Sequence, residues 1–132
     1  MKIGNDSNKE VKIFVKNIHM SAYKLRRVVN QIRGHSYGEA IMILEFMPYR
    51  ACYPVLKLVS NAAENANHKM GLRKADLFVS EVKVDAGSFA KGLRLRAQGR
   101  NYPIHKPTCH ITIILKKNLC IRRNYKNNIM LI

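Results

Sequence analysis

Residues 93–115, LRLRAQGRNYPIHKPTCHITIIL, constrain this chain more than any other stretch. The last third, TCHITIIL, alternates apolar and polar side chains as a half-buried strand does, with Cys109, Ile111, Ile113 and Leu115 on one side. The part before it keeps a strand-like alternation but sets Leu93 and Leu95 against Arg94 and Arg96, and has little that fills a core. Gly99 supplies the permissive backbone that a reversal needs. The pattern predicts a long hairpin over about 85–109, turning at about 96–100, whose arms reach roughly 35–40 Å at ~3.3 Å per residue.

A two-stranded ribbon without a hydrophobic face is marginal in water, so something outside the chain has to hold it. Lys91, Arg94, Arg96, Arg100 and Lys106, with His105, suit a corridor of phosphates, because guanidinium forks pair with phosphate oxygens and stack on exposed bases. Gly87, Gly92 and Gly99 are expected to let backbone approach nucleic acid closely.

Composition points the same way. Among 132 residues, 24 Lys and Arg face 8 Asp and Glu, a formal net charge of +16. Self-repulsion of that size opposes folding unless a polyanion neutralises it, which makes nucleic acid the leading partner. An anionic membrane is the competitor, but the arm lacks the broad hydrophobic face of an interfacial binder, and no membrane partner is expected. The opening residues lead into polar sequence rather than an apolar signal core, and no run is apolar enough to span a bilayer.

The rest reads as one α+β domain at about 11–117, between a short extension (1–10) and a basic tail (118–132). Residues 11–18 alternate as a strand. Ser21 stands where a cap belongs, before Leu25, Val28, Val29 and Ile32 at helical spacing, and Gly34 closes that helix. Arg26, Arg27, Asn30 and Tyr23 fall opposite the apolar stripe, flanked by Lys24 and Arg33. Ser36 and Glu39 form a capping box. AIMILEFM is apolar nearly all round, which predicts a buried short helix stopped by Pro48. Val55, Leu58, Val59, Ala62 and Ala66 mark a third helix running to Gly71, which either begins near Tyr53 or kinks at Pro54. Residues 77–85 return to strand. The expected architecture is three helices on a small antiparallel three-stranded sheet, with the hairpin extended from it.

Catalysis finds no foothold. His105 and His110 lie five apart, which puts them on opposite sides if the strand is unbroken, a register that Pro107 leaves open, and no carboxylate cluster offers a Mg²⁺ site. Cys52, Cys109 and Cys120 lack metal-ligand spacing and fit free thiols. No cofactor, metal or small-molecule substrate is expected.

Three stretches carry a family resemblance. MSAYKLRRVVNQIRG, SNAAENANHKMGL and KGLRLRAQGRNYPIHKPTCHITIIL are similar, in order and in register, to motifs of the large-subunit ribosomal protein twenty-two family. The resemblance implies a non-enzymatic protein near the peptide-tunnel exit, bound to large-subunit (23S-type) rRNA and neighbouring ribosomal proteins. It implies that the hairpin runs along the tunnel wall, with its tip, Arg96, Ala97, Gln98, Gly99 and Arg100, at the nascent polypeptide. Ser21, Lys24, Arg26 and Arg33 fall on the family's helix-one RNA face. Gly92, Leu95, Gln98 and Pro107 depart from the residues usual in bacterial relatives. MPYRACYP and the excess of Lys, Asn and Ile resemble plastid-encoded members, with a bacterial or other organellar ribosome as the alternative. A non-ribosomal basic RNA-binding or chaperone protein is the alternative function.

Overall fold

A computed structural model describes residues 10–117; Cys120 and the extension and tail lie outside the described residues, except that Glu10 already belongs to the first strand. Five strands and three α-helices follow in the order β1 (Glu10–Ile18), α1 (Ala22–Ile32), α2 (Tyr37–Phe46), α3 (Cys52–Met70), β2 (Leu77–Ala86), β3 (Ala90–Leu95), β4 (Asn101–Lys106) and β5 (Cys109–Lys117). One sheet has the antiparallel order β1-β5-β2, and β3 and β4 pair only with each other.

Alternation in β5 does what its pattern predicts. Cys109, Ile111, Ile113 and Leu115 are buried, and they continue across the sheet in rows: Val11, Leu115 and Val79; Ile13, Ile113 and Val82; Val15, Ile111 and Val84. The apolar period of β2 breaks after Val79, where Ser80 and Glu81 follow. A bulge between Val79 and Glu81 absorbs the extra residue, which returns Val82 and Val84 to the inner face. The helices cover that face through Leu25, Val28, Val29 and Ile32 of α1 and Val55, Leu58, Val59, Ala62, Ala63 and Ala66 of α3. Cys52 and Cys109 are buried free thiols, and burial pushes the Cys109 thiol up.

Several helix ends follow local chemistry. The Ser36 hydroxyl accepts from the Glu39 backbone N–H (3.4 Å) while the Glu39 carboxylate accepts from the Ser36 N–H (3.1 Å), completing the capping box of α2. Gly34 and Gly71 take left-handed backbone just past α1 and α3. Pro54 is the third residue of α3, where the missing N–H would have had no partner within the helix. Ser21 occupies the cap position of α1, but its hydroxyl makes no capping hydrogen bond.

Two expectations change. Helix α2 is not buried: it hides Ala40 and Leu44 and leaves Met42 and Phe46 55% and 82% exposed, because nothing in the described chain lies over its outer face. Nor does the hairpin continue the sheet unbroken. Residues 87–89 and 107–108 separate it, since Pro107 has no N–H for a ladder. At this joint the Gly87 N–H donates to the Thr108 carbonyl (2.8 Å) and the Thr108 hydroxyl to the Ser88 carbonyl (2.6 Å).

Candidate nucleic-acid interface

The ribbon has two chemically different faces. Directly opposed residues of an antiparallel pair share a face. Arg94 opposes Tyr102, Gly92 opposes Ile104 and Ala90 opposes Lys106, whereas Leu93 opposes Pro103, Leu95 opposes Asn101 and Lys91 opposes His105. One side therefore carries cations and an aromatic ring, and the other is apolar towards the tip. Leu93 and Leu95 are 72% and 78% exposed, and every residue of β4 is exposed.

At the tip, Gln98 and Gly99 both adopt left-handed backbone, and the Arg96 N–H donates to the Arg100 carbonyl (2.9 Å) across the turn. Gly99 matches the permissive position read from the sequence. Gln98 is an addition, tolerated as a single residue at a cost that glycine would not carry.

Aromatic rings interleave with the ribbon's cations, a signal present in the sequence but not read there. The Arg96 guanidinium lies 5.5 Å from the Tyr102 ring centroid, and the Phe89 and His105 rings meet edge-on at 5.6 Å. Such pairs hold flat side chains upright and leave outer faces for stacking. Among the described residues, Lys91, Arg94, Arg96, Arg100 and Lys106 make no ion pair.

The helix-one cations divide into two groups. Arg26 donates from Nε and an Nη to the Val84 carbonyl (3.1 and 3.0 Å), and Arg33 donates to the Val82 carbonyl (2.8 Å). These carbonyls lie on the open edge of β2, which is closed further along by backbone bonds from Gly34 N–H to Val79 O and from Val79 N–H to His35 O, both 2.9 Å. An unpaired strand edge invites association, and here two guanidinium groups and one connection cover it. Arg26 and Arg33 thus serve the fold, with their remaining N–H donors available outward. Lys24 and Arg27 point elsewhere, into an open groove that also holds Ser21.

That groove, about 1860 Å³, lies between α1, the outer face of α2 and the ribbon's root, where His105 and Lys106 join its wall. Of the candidate residues, the fold gathers Ser21, Lys24, Arg27, His105 and Lys106 here; it directs Arg26 and Arg33 to the edge of β2 and carries Lys91, Arg94, Arg96 and Arg100 out along the ribbon. Gly87 proves to serve packing: a Cβ there would stand 2.5 Å from Thr108 Oγ1. Gly92 lies opposite Ile104 with room for a Cβ at ordinary contact distance. Among the described residues no helix is long and apolar enough to cross a membrane.

Residues 14–116 match the family described as ribosomal protein L22p/L17e. A protein of Huperzia lucidula named large ribosomal subunit protein uL22c is 98% identical over 117 residues, covering 89% of this chain and 94% of that protein. Proteins of the same name are similar from Marchantia polymorpha, 64% identical over 84% of this chain and 93% of theirs, and from Picea abies, 59% identical over 87% and 82%.

Proposed function

The chain belongs to the ribosomal protein L22p/L17e family, and from this premise we infer that it is a structural constituent of the large subunit of a plastid ribosome, not an enzyme. Its partners are large-subunit rRNA and neighbouring ribosomal proteins. The ribbon and the outward cations of α1 bind the rRNA, and the tip at 96–100 faces the path of the nascent polypeptide.

What supports the RNA reading most is the ribbon itself. Two short strands stand off the domain with exposed leucines and unpaired cations, an arrangement that a chain alone does not stabilise. A polyanion removes the repulsion and orders the arm. The residues of this contact are Lys91, Arg94, Arg96, Arg100, His105 and Lys106 on the ribbon, with Ser21, Lys24 and Arg27 on α1; Arg26 and Arg33 contribute only the donors left over from β2. The turn at Gln98 and Gly99, narrow and exposed, suits a tip set against a passing peptide.

Replacing Arg94, Arg96 and Arg100 together by Gln tests this. Binding to large-subunit rRNA weakens and its logarithmic salt slope becomes shallower by about two to three, at ~0.7–0.9 for each phosphate left unpaired, while the thermal midpoint of the free protein stays in place. Unchanged RNA affinity, or loss of folding, would overturn the reading. A photo-crosslinker at Gln98 in translating ribosomes is expected to label the nascent chain; labelling of rRNA alone would remove the peptide-path assignment.

A further inference from the structure

Helix α2 turns Phe46, the most exposed large apolar side chain among the described residues at 82%, into the groove, with Met42 and Tyr49 beside it. The side chain ends α2, and its burial is not needed for the fold. Around these apolar groups stand Lys24, Arg27, Arg50 and Lys106, none of which makes an ion pair among the described residues. The groove's carboxylate, Glu39, is already engaged: it accepts the Ser36 N–H and lies 3.5 Å from His35 Nδ1, and the Ser36 hydrogen bonds, with a smaller contribution from His35, hold it below the usual carboxylate range. It stays ionised, and its single charge is outnumbered by the four cations around the groove.

We propose that this groove extends the RNA contact onto α2, where an unpaired nucleotide of large-subunit rRNA stacks its base on Phe46 while its flanking phosphates pair with Lys24 and Arg27. The proposal rests on the ribosomal reading above and adds to it a helix, α2, and a mode of contact, stacking, that the basic residues alone do not supply. Charge and shape select this occupant. An apolar peptide would cover Met42 and Phe46 but strip water from four cations without pairing them, which is costly. A small ligand leaves most of so large and open a groove unfilled. Single-stranded RNA meets both demands, since each nucleotide carries a flat base for an aromatic face and a phosphate for a cation. The walls also connect α1 to the ribbon's root, so one strand of RNA running along the ribbon enters the groove without leaving the basic surface.

The chain contains no Trp, so Phe46→Trp makes a single fluorescent reporter in the full-length protein. Titration with protein-free large-subunit rRNA is expected to quench its emission at near wild-type affinity. Phe46→Ala is expected to bind the same RNA roughly 5- to 150-fold more weakly with an unchanged salt slope, because a stacking contact releases no counterions. Lys24→Gln with Arg27→Gln should instead make the slope shallower. Wild-type affinity of Phe46→Ala for protein-free rRNA would overturn the proposal, as would unquenched emission from the Phe46→Trp reporter at saturation. If Phe46→Ala binds RNA normally yet enters large subunits poorly, a neighbouring protein occupies the groove and the proposal falls. Failure of the wild-type protein to bind rRNA at all would instead overturn the ribosomal reading on which the groove depends.

Discussion

The three-stranded sheet and the β3-β4 ribbon are written in the same alternating code, yet Ile111 and Ile113 are buried and Leu93 and Leu95 stand in solvent. Their edges differ in the same way. The outer edge of β2 has its carbonyls capped by Arg26 and Arg33 from its own chain, whereas the ribbon's arginines find no carboxylate among the described residues. Period two specifies a strand and not what the strand packs against. The core sheet has helices on its inner face; among the described residues nothing covers either face of the ribbon, and its surplus of positive charge fits a packing partner from outside the chain.

The sharpest way to break that contrast is to truncate a leucine or isoleucine in each sheet. Ile113→Ala is expected to lower the free protein's stability by about 2–5 kcal/mol, through forfeited transfer energy and the cavity left behind. Leu95→Ala is expected to change it by no more than about 0.5 kcal/mol, as at other exposed positions. Urea denaturation followed by circular dichroism measures both. Equal losses would mean that the ribbon packs on its own domain.

The joint between the sheets comes next. Gly87→Ala drives a methyl group into the Thr108 hydroxyl, which itself holds the Ser88 carbonyl. Overpacking of this kind costs about 1–3 kcal/mol. Its cost should appear as a lower denaturation midpoint in the free protein and as faster amide exchange concentrated at 86–88 and 108–110. Uniform exchange across the whole domain would show that the joint is not a separate hinge.

The smallest effect compares arginines. Arg26→Gln with Arg33→Gln removes the donors that close the edge of β2, and a loss of about 1 kcal/mol is expected for hydrogen bonds that are partly exposed. Arg94→Gln with Arg96→Gln should leave the thermal midpoint within a few degrees or raise it, since it relieves repulsion and removes no internal hydrogen bond, only the exposed contact of Arg96 with the Tyr102 ring. A matching loss in both pairs would erase the distinction between arginines that serve the fold and arginines that serve a partner.

Much of this was legible along the chain, and the reasons are local. Leu25, Val28, Val29 and Ile32 announced α1, Ser36 and Glu39 announced the start of α2, and Gly99 marked the turn, because helical period, caps and permissive backbone each act over a few residues. The outward face of α2 was not legible. AIMILEFM has apolar side chains on every side, so no pattern within it tells which stripe meets α3 and which meets the groove. Pro107 marks where the ladder can be interrupted, but the joint that closes there was not legible, since it needs Gly87, Ser88 and Thr108 to come together from two strands.

By itself, the sequence determined the elements, the inner faces of the strands and the need for a polyanion, because periodicity and net charge are properties of the chain before it folds. Only the tertiary structure decided which cations remain for that polyanion. Arg26 and Arg27 are adjacent and chemically identical, but Arg26 finds an acceptor 58 residues away on the open edge of β2, while Arg27 is left to the groove. A hydrogen bond between residues so far apart depends on how helix and sheet are packed, and that arrangement is written in no short stretch of either.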